Sequence, residues 1–196
     1  MFKSKKFWKI AIFSTGAVLL FVALPLLVIP EAESTPAEFK EARHRGAEIS
    51  KDIVAHYGQS AEKLKKISEL DGSGRHLEGL RIVLDEMEAN SEIRSKAQEL
   101  AVELERMTRA ASLLKSQTIR AKALEAVAVE INLVTQLITY NEYFNRLLET
   151  LRSKFAGEPR ETSVDVLIFR MNDAADDINK LNERFGVLMD EFDGLF

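Results

Sequence analysis

The sequence predicts an all-α protein: an N-terminal transmembrane helix followed by an antiparallel bundle of four or five helices with coiled-coil character. Three observations carry this expectation. A run of twenty residues, Ile10–Ile29, holds no charge. After it, apolar residues recur at steps of three and four, and no period-2 segment of useful length interrupts them. The 9 Gly and 4 Pro among 196 residues are too few for the many turns of a β-rich domain.

The first element is the apolar run, IAIFSTGAVLLFVALPLLVI. A helix of about 20 residues is roughly 30 Å long, the thickness of a bilayer's hydrocarbon core. Its polar residues Ser14 and Thr15 can bond back to carbonyls one turn earlier. A membrane tolerates the kink expected at Pro25. Lys3, Lys5, Lys6 and Lys9 flank one end, with Phe2, Phe7 and Trp8 suited to the interface, and Glu31 and Glu33 flank the other. The positive-inside rule then predicts a cytoplasmic N-terminus and residues 31–196 on the far side of a cell membrane. A cleaved signal peptide shares the basic start and apolar middle. Its apolar region is shorter, however, and the small-x-small candidates here, Pro30–Ala32 and Thr35–Ala37, both contain proline. An uncleaved signal anchor is the favoured reading.

Charge divides at the same point. Residues 1–30 hold four lysines and no acid, while the remaining 166 hold 23 basic and 31 acidic groups within an overall net charge of −4. That balance argues against nucleic acid as a partner, because phosphate binding needs a concentrated basic surface. The absence of cysteine excludes a disulfide framework, a thiol nucleophile and a Cys-ligated metal.

Pro30–Pro36 reads as a linker, with Ser34 or Thr35 opening the first bundle helix and Pro36 in its first turn. Its inward face is Phe39, Ala42, Gly46, Ile49, Ile53, Tyr57, Ser60, Leu64 and Ile67, and Asp71-Gly72-Ser73-Gly74 ends it. The next face reads Leu77, Leu80, Leu84 and Met87. The phase then appears broken before Ile93, so a turn or kink is expected near Asn90. The face resumes through Ala97, Leu100, Leu104, Met107, Ala111 and Leu114, and a second turn is expected at Lys115-Ser116-Gln117-Thr118. From Ala121 to Phe155 apolar residues cover most of the circumference, which marks the central helix. Gly157-Glu158-Pro159 stops it, and Thr162 through Asp165 can cap the last helix. That helix carries the cleanest heptad seam: Val164, Leu167, Met171, Ala174, Ile178, Leu181, Phe185, Leu188, Phe192 and Leu195. The seam suits either packing on the central helix or an intermolecular coiled coil. Phenylalanine at two positions favours the former.

Candidate chemistry is sparse. Glu41 and His44 have the Glu-x-x-His spacing of bundle di-iron sites, but no second pair completes it. Asp173, Asp176 and Asp177 lack EF-hand spacing and read as a charged helix face. Asparagines crowd the last two helices at 132, 141, 145, 172, 179 and 182, where an inward one would fix register. No phosphate-binding glycine loop or nucleophile elbow occurs, so neither catalysis, cofactor nor metal is expected.

Glu130, Leu133, Tyr140-Asn141, Phe144, Leu151 and Ser153 form an arrangement that resembles the LemA family of bacterial membrane-anchored helical proteins. The chain departs from that family at Leu147-Leu148, at Phe155-Ala156 and in its heptad tail. The resemblance implies an architecture rather than an activity. The functional expectation is an envelope scaffold or protein-interaction module in the bilayer, presenting helix faces to a protein partner or to a second copy. The alternative is an extracytoplasmic sensor or ligand-binding bundle working with a membrane partner.

Overall fold

A computed structural model describes residues 36–159 and 162–195. The proposed anchor, with Lys3, Lys5, Lys6, Trp8 and Lys9, lies outside the described residues. So do Ser34 and Thr35. Within them the chain forms four α-helices: α1 Ala37–Gly72, α2 His76–Ser112, α3 Gln117–Ala156 and α4 Val164–Asp193.

Each boundary has a local cause. Pro36 sits at the N-cap of α1, not inside its first turn, and its carbonyl accepts from the Phe39 and Lys40 N–H groups at 3.0 and 3.2 Å. Gly74, with φ 73°, lets the chain reverse after α1, where the Arg75 N–H closes on the Leu70 carbonyl at 2.9 Å. Ser116 caps α3 by accepting from the Ile119 N–H, and Ser163 caps α4 by accepting from the Asp165 N–H. Gly157, with φ 75°, ends α3, and the Glu158 N–H bonds the Ser153 carbonyl at 2.8 Å in a Schellman-type stop.

Consecutive helices pack antiparallel, α1 on α2, α2 on α3 and α3 on α4. The register follows from pairs that descend one helix as they climb the next, Asp52 with Lys96 and Glu41 with Arg106. α4 meets α1 through side chains at one end, where the Phe39 and Phe192 rings stand 5.3 Å apart and Arg43 grips Asp193. α3 reaches across to α1 at Tyr57, whose ring lies 5.0 Å from that of Tyr140, and again where Lys154 pairs with Asp71.

α2 departs from expectation. It runs without a break through Asn90, and its buried face is not the stripe Leu77, Leu80, Leu84 and Met87. Leu77 is 83% exposed and Leu84 48%, with Leu80 and Met87 half-buried. The inward positions are Gly79, Val83, Glu86, Asn90, Ile93, Ala97, Leu100, Leu104, Met107, Ala111 and Leu114, all buried and spaced alternately by four and three. This is one heptad seam of 36 residues. It looked broken because a glycine, a glutamate and an asparagine occupy three of its first four positions. Glycine fits there: a Cβ at position 79 would stand 2.8 Å from the Phe155 ring, which would have to shift.

On α3, Ile131 and Ile138 face outward, so the central helix has one solvated side. On α4, Leu167, Met171, Ala174, Ile178, Phe185, Leu188 and Phe192 are buried, Val164 and Leu181 are half-buried, and Leu195 is exposed. The seam therefore packs within the chain. α3 is also long and apolar enough to cross a membrane, and half of its most apolar stretch is buried in the bundle.

Candidate functional site

Polar side chains occupy successive levels of the bundle interior. The first cluster lies between α1 and α2. The heptad of α2 carries Glu86 into the interface, where its side chain is wholly buried. The Ser60 hydroxyl donates to one carboxylate oxygen, and the Lys63 ammonium stands 2.5 Å from the other. His56 Nε2 is 3.7 Å from the same carboxylate. Burial pushes the His56 pKa below its ordinary value and the Lys63 charge adds to this, while the Glu86 carboxylate opposes both. A buried carboxylate is tolerable here because an ammonium and a hydroxyl meet it.

One turn along α2, Asn90 links three helices. Its amide donates to Asn145 Oδ1 at 3.0 Å, and its carbonyl oxygen accepts from the Asn141 amide at 2.7 Å. Asn141 also reaches the Tyr57 hydroxyl at 3.4 Å. The Tyr57 pKa is pushed up to about 12 by burial, and that of Tyr140 rises for the same reason. Beside this layer, Tyr57, Asn141, Asn145 and Leu137 line a recess of about 20 Å³, room for one water molecule and not for an organic ligand.

Glu130, on α3, differs from both. It is 4% exposed, its Oε2 has no hydrogen-bond partner, and burial alone pushes its pKa up to about 7. Near the end of the bundle, Arg43 and Asp193 form a two-pronged pair at 2.9 and 3.0 Å that ties α1 to α4.

No family model, curated protein or solved structure matches this chain.

The sequence-level candidates fall as follows. Glu41 and His44 are exposed on α1; His44 faces Glu48 at 3.6 Å, and Glu41 meets Arg45 and Arg106. Among the described residues no group of three or more His, Asp or Glu is placed to hold a metal ion. Asp173 and Asp176 are exposed, and Asp177 pairs with Lys180. Of the six asparagines singled out, Asn141 is buried, Asn145 is half-buried in the same network, and Asn132 is exposed. Of the residues that carry the LemA resemblance, Glu130, Leu133, Tyr140, Asn141, Phe144 and Leu151 are buried and Ser153 is half-buried.

Sequence reading missed the buried Glu86 and Asn90 and the half-buried His56 and Lys63 beside Glu86. The signal was present: extending the four–three spacing backward from Ile93 lands on Asn90 and Glu86. Chemically, the two clusters pair most of their donors and acceptors internally, His56 Nε2 being left without a hydrogen-bond partner. They fix which helix level faces which, as buried polar groups do in coiled coils. An open groove of about 450 Å³ also runs between α1 and α2, lined by Arg45, Glu48, Asp52, Lys96, Glu99 and Glu103.

Proposed function

We propose that this is a single-pass membrane-anchored scaffold or interaction module of the cell envelope, its N-terminus cytoplasmic and its helical bundle extracytoplasmic. The observation that carries the reading is the uncharged run Ile10–Ile29, bounded by four lysines on one side and by Glu31 and Glu33 on the other. The bundle adds support. The asparagine layer and the Glu86 cluster are turned inward, while large apolar residues stand outside the bundle, Leu77 at 83% and Phe169 at 68% exposure. Such residues are available to a partner in the envelope. The LemA-like arrangement on α3 belongs to the same reading, as an anchored helical architecture. The open groove between α1 and α2 favours a second reading, an extracytoplasmic ligand-binding bundle that works with a membrane partner.

The test is site-specific photocrosslinking in native membranes, with the crosslinker placed at Leu77 and at Phe169. The scaffold reading expects a discrete crosslinked protein at one or both positions. No protein adduct at either position, together with saturable binding of a small molecule in the groove, would favour the second reading.

A further inference from the structure

In this acidic chain, residues 106–124 form a 19-residue stretch with five cations, Arg106, Arg109, Lys115, Arg120 and Lys122, and no acid. The fold bends this stretch over the α2–α3 turn. At the tip stands Leu113, the C-cap of α2, 70% exposed, with exposed Lys115 and Arg109 beside it. The Arg120 guanidinium donates to the Leu114 carbonyl at 3.2 Å, which holds a cation under the turn. The other charges are partly spent: Arg109 on Glu105, Arg106 on Glu103 and Glu41, Lys122 on Glu125 and Glu191.

The turn lies at the end of the bundle where the chain arrives from residue 30, because Arg106 of α2 stands beside Glu41 of α1. From that level α2 runs seven residues to Leu113, about 10 Å at 1.5 Å per residue, whereas α1 runs back four residues to Ala37, about 6 Å. α4 ends near the level of Arg43, through Asp193. Among the described residues the α2–α3 turn is therefore the most protruding part of that end. Residues 30–36 reach no more than about 25 Å even fully extended, which keeps this end close to any bilayer that holds Ile10–Ile29.

We propose that the α2–α3 turn is a lipid-contacting foot: Leu113 enters the interfacial region while Arg109, Lys115 and Arg120 face anionic headgroups. This rests on the anchor reading above. Exposed cations around an apolar tip suit a negatively charged leaflet, and the tether supplies the proximity that so small a contact needs. The contact fixes the tilt of the bundle over the membrane and points the opposite end, with Leu77 and Phe169, away from it.

The absence of cysteine permits a direct test with the full chain reconstituted in vesicles of phosphatidylcholine, alone or mixed with phosphatidylglycerol. An environment-sensitive fluorophore is attached to Leu113→Cys or, as the distal control, to Leu77→Cys, and spin-labelled lipids serve as quenchers. The foot predicts a blue-shifted probe at position 113, quenched by the lipids most strongly with phosphatidylglycerol. It predicts that Lys115→Glu reduces this quenching and that the probe at position 77 is unquenched. Equal quenching at 113 and 77 in chains that float with the vesicles would overturn the foot and leave the anchor standing. Chains that do not float at all would overturn the anchor reading and the foot with it.

Discussion

Glu130 is the residue at which the bundle departs furthest from an apolar core, and it makes the folded protein's stability depend on pH. Its carboxyl keeps a proton in the folded state up to about pH 7, whereas the unfolded chain releases it near the ordinary value of 4.5. Between those values the folded state binds more protons, so raising the pH lowers stability. The loss by pH 8 is up to about 3 kcal/mol. His56 acts in the opposite sense: its depressed pKa lets the unfolded chain take up a proton first as the pH falls below the ordinary 6.5. The two are separated by variant. Urea unfolding of Glu130→Gln between pH 5 and 8 should lose the decline with rising pH that the parent shows; an unchanged slope would mean that the buried carboxyl does not control it.

Asn90 is the second such residue. Replacing it by alanine leaves Asn141 without its nearest partner and opens a small cavity, a cost of about 2–4 kcal/mol by urea unfolding. A loss below about 0.5 kcal/mol would show that the asparagine network adds nothing to the fold. Neither role was legible at the level of single residues. An asparagine before an apolar run looks like a turn, and only its partners Asn141 and Asn145 on α3 make Asn90 a core residue, while nothing in the sequence around Glu130 marks it as a buried carboxyl without a partner at Oε2. Tyr57 and Ser60, by contrast, were placed correctly by helical spacing alone.

At the scale of elements, boundaries were the most legible feature. Gly74 and Gly157 mark two helix ends because the left-handed backbone there is cheap only for glycine, and the Ser116 turn was readable from its polar run. The inner face of α2 was not. Its N-terminal half presents leucines outward at 77 and 84, and hydrophobicity alone selects that stripe. The true face is chosen by Phe155 of α3, whose ring fills the space beside Gly79. Gly79→Ala should therefore destabilise the bundle by about 1–3 kcal/mol despite the better helix propensity of alanine. Calorimetry of the variant would show the fall in Tm; a rise would mean that the ring moves aside at no cost.

At the scale of the molecule, the α4 seam illustrates what a heptad can and cannot say. Ten positions at three–four spacing specify an apolar stripe, and they suit a partner in the same chain as well as one in another. The two phenylalanines tip the balance physically. Phe192 packs on Phe39 at the point where α4 closes back on α1, and the Arg43–Asp193 pair lies beside it. The all-α class and the bundle were thus legible from spacing, while the closure of α4 onto α1 required the fold. The anchor rests on the composition of Ile10–Ile29 and on the charges around it.

In the proposed topology this anchor holds the full chain, with the bundle across the membrane from the N-terminus. The most direct measurement uses the cysteine-free background, with Ser4→Cys or Glu183→Cys expressed in spheroplasts of a bacterial host and labelled by a membrane-impermeant maleimide. Full-length protein is expected in the carbonate-washed membrane pellet, with labelling at 183 before lysis and at 4 only after it. A shortened chain in the soluble fraction, or labelling at 4 but not at 183 in sealed spheroplasts, would contradict it.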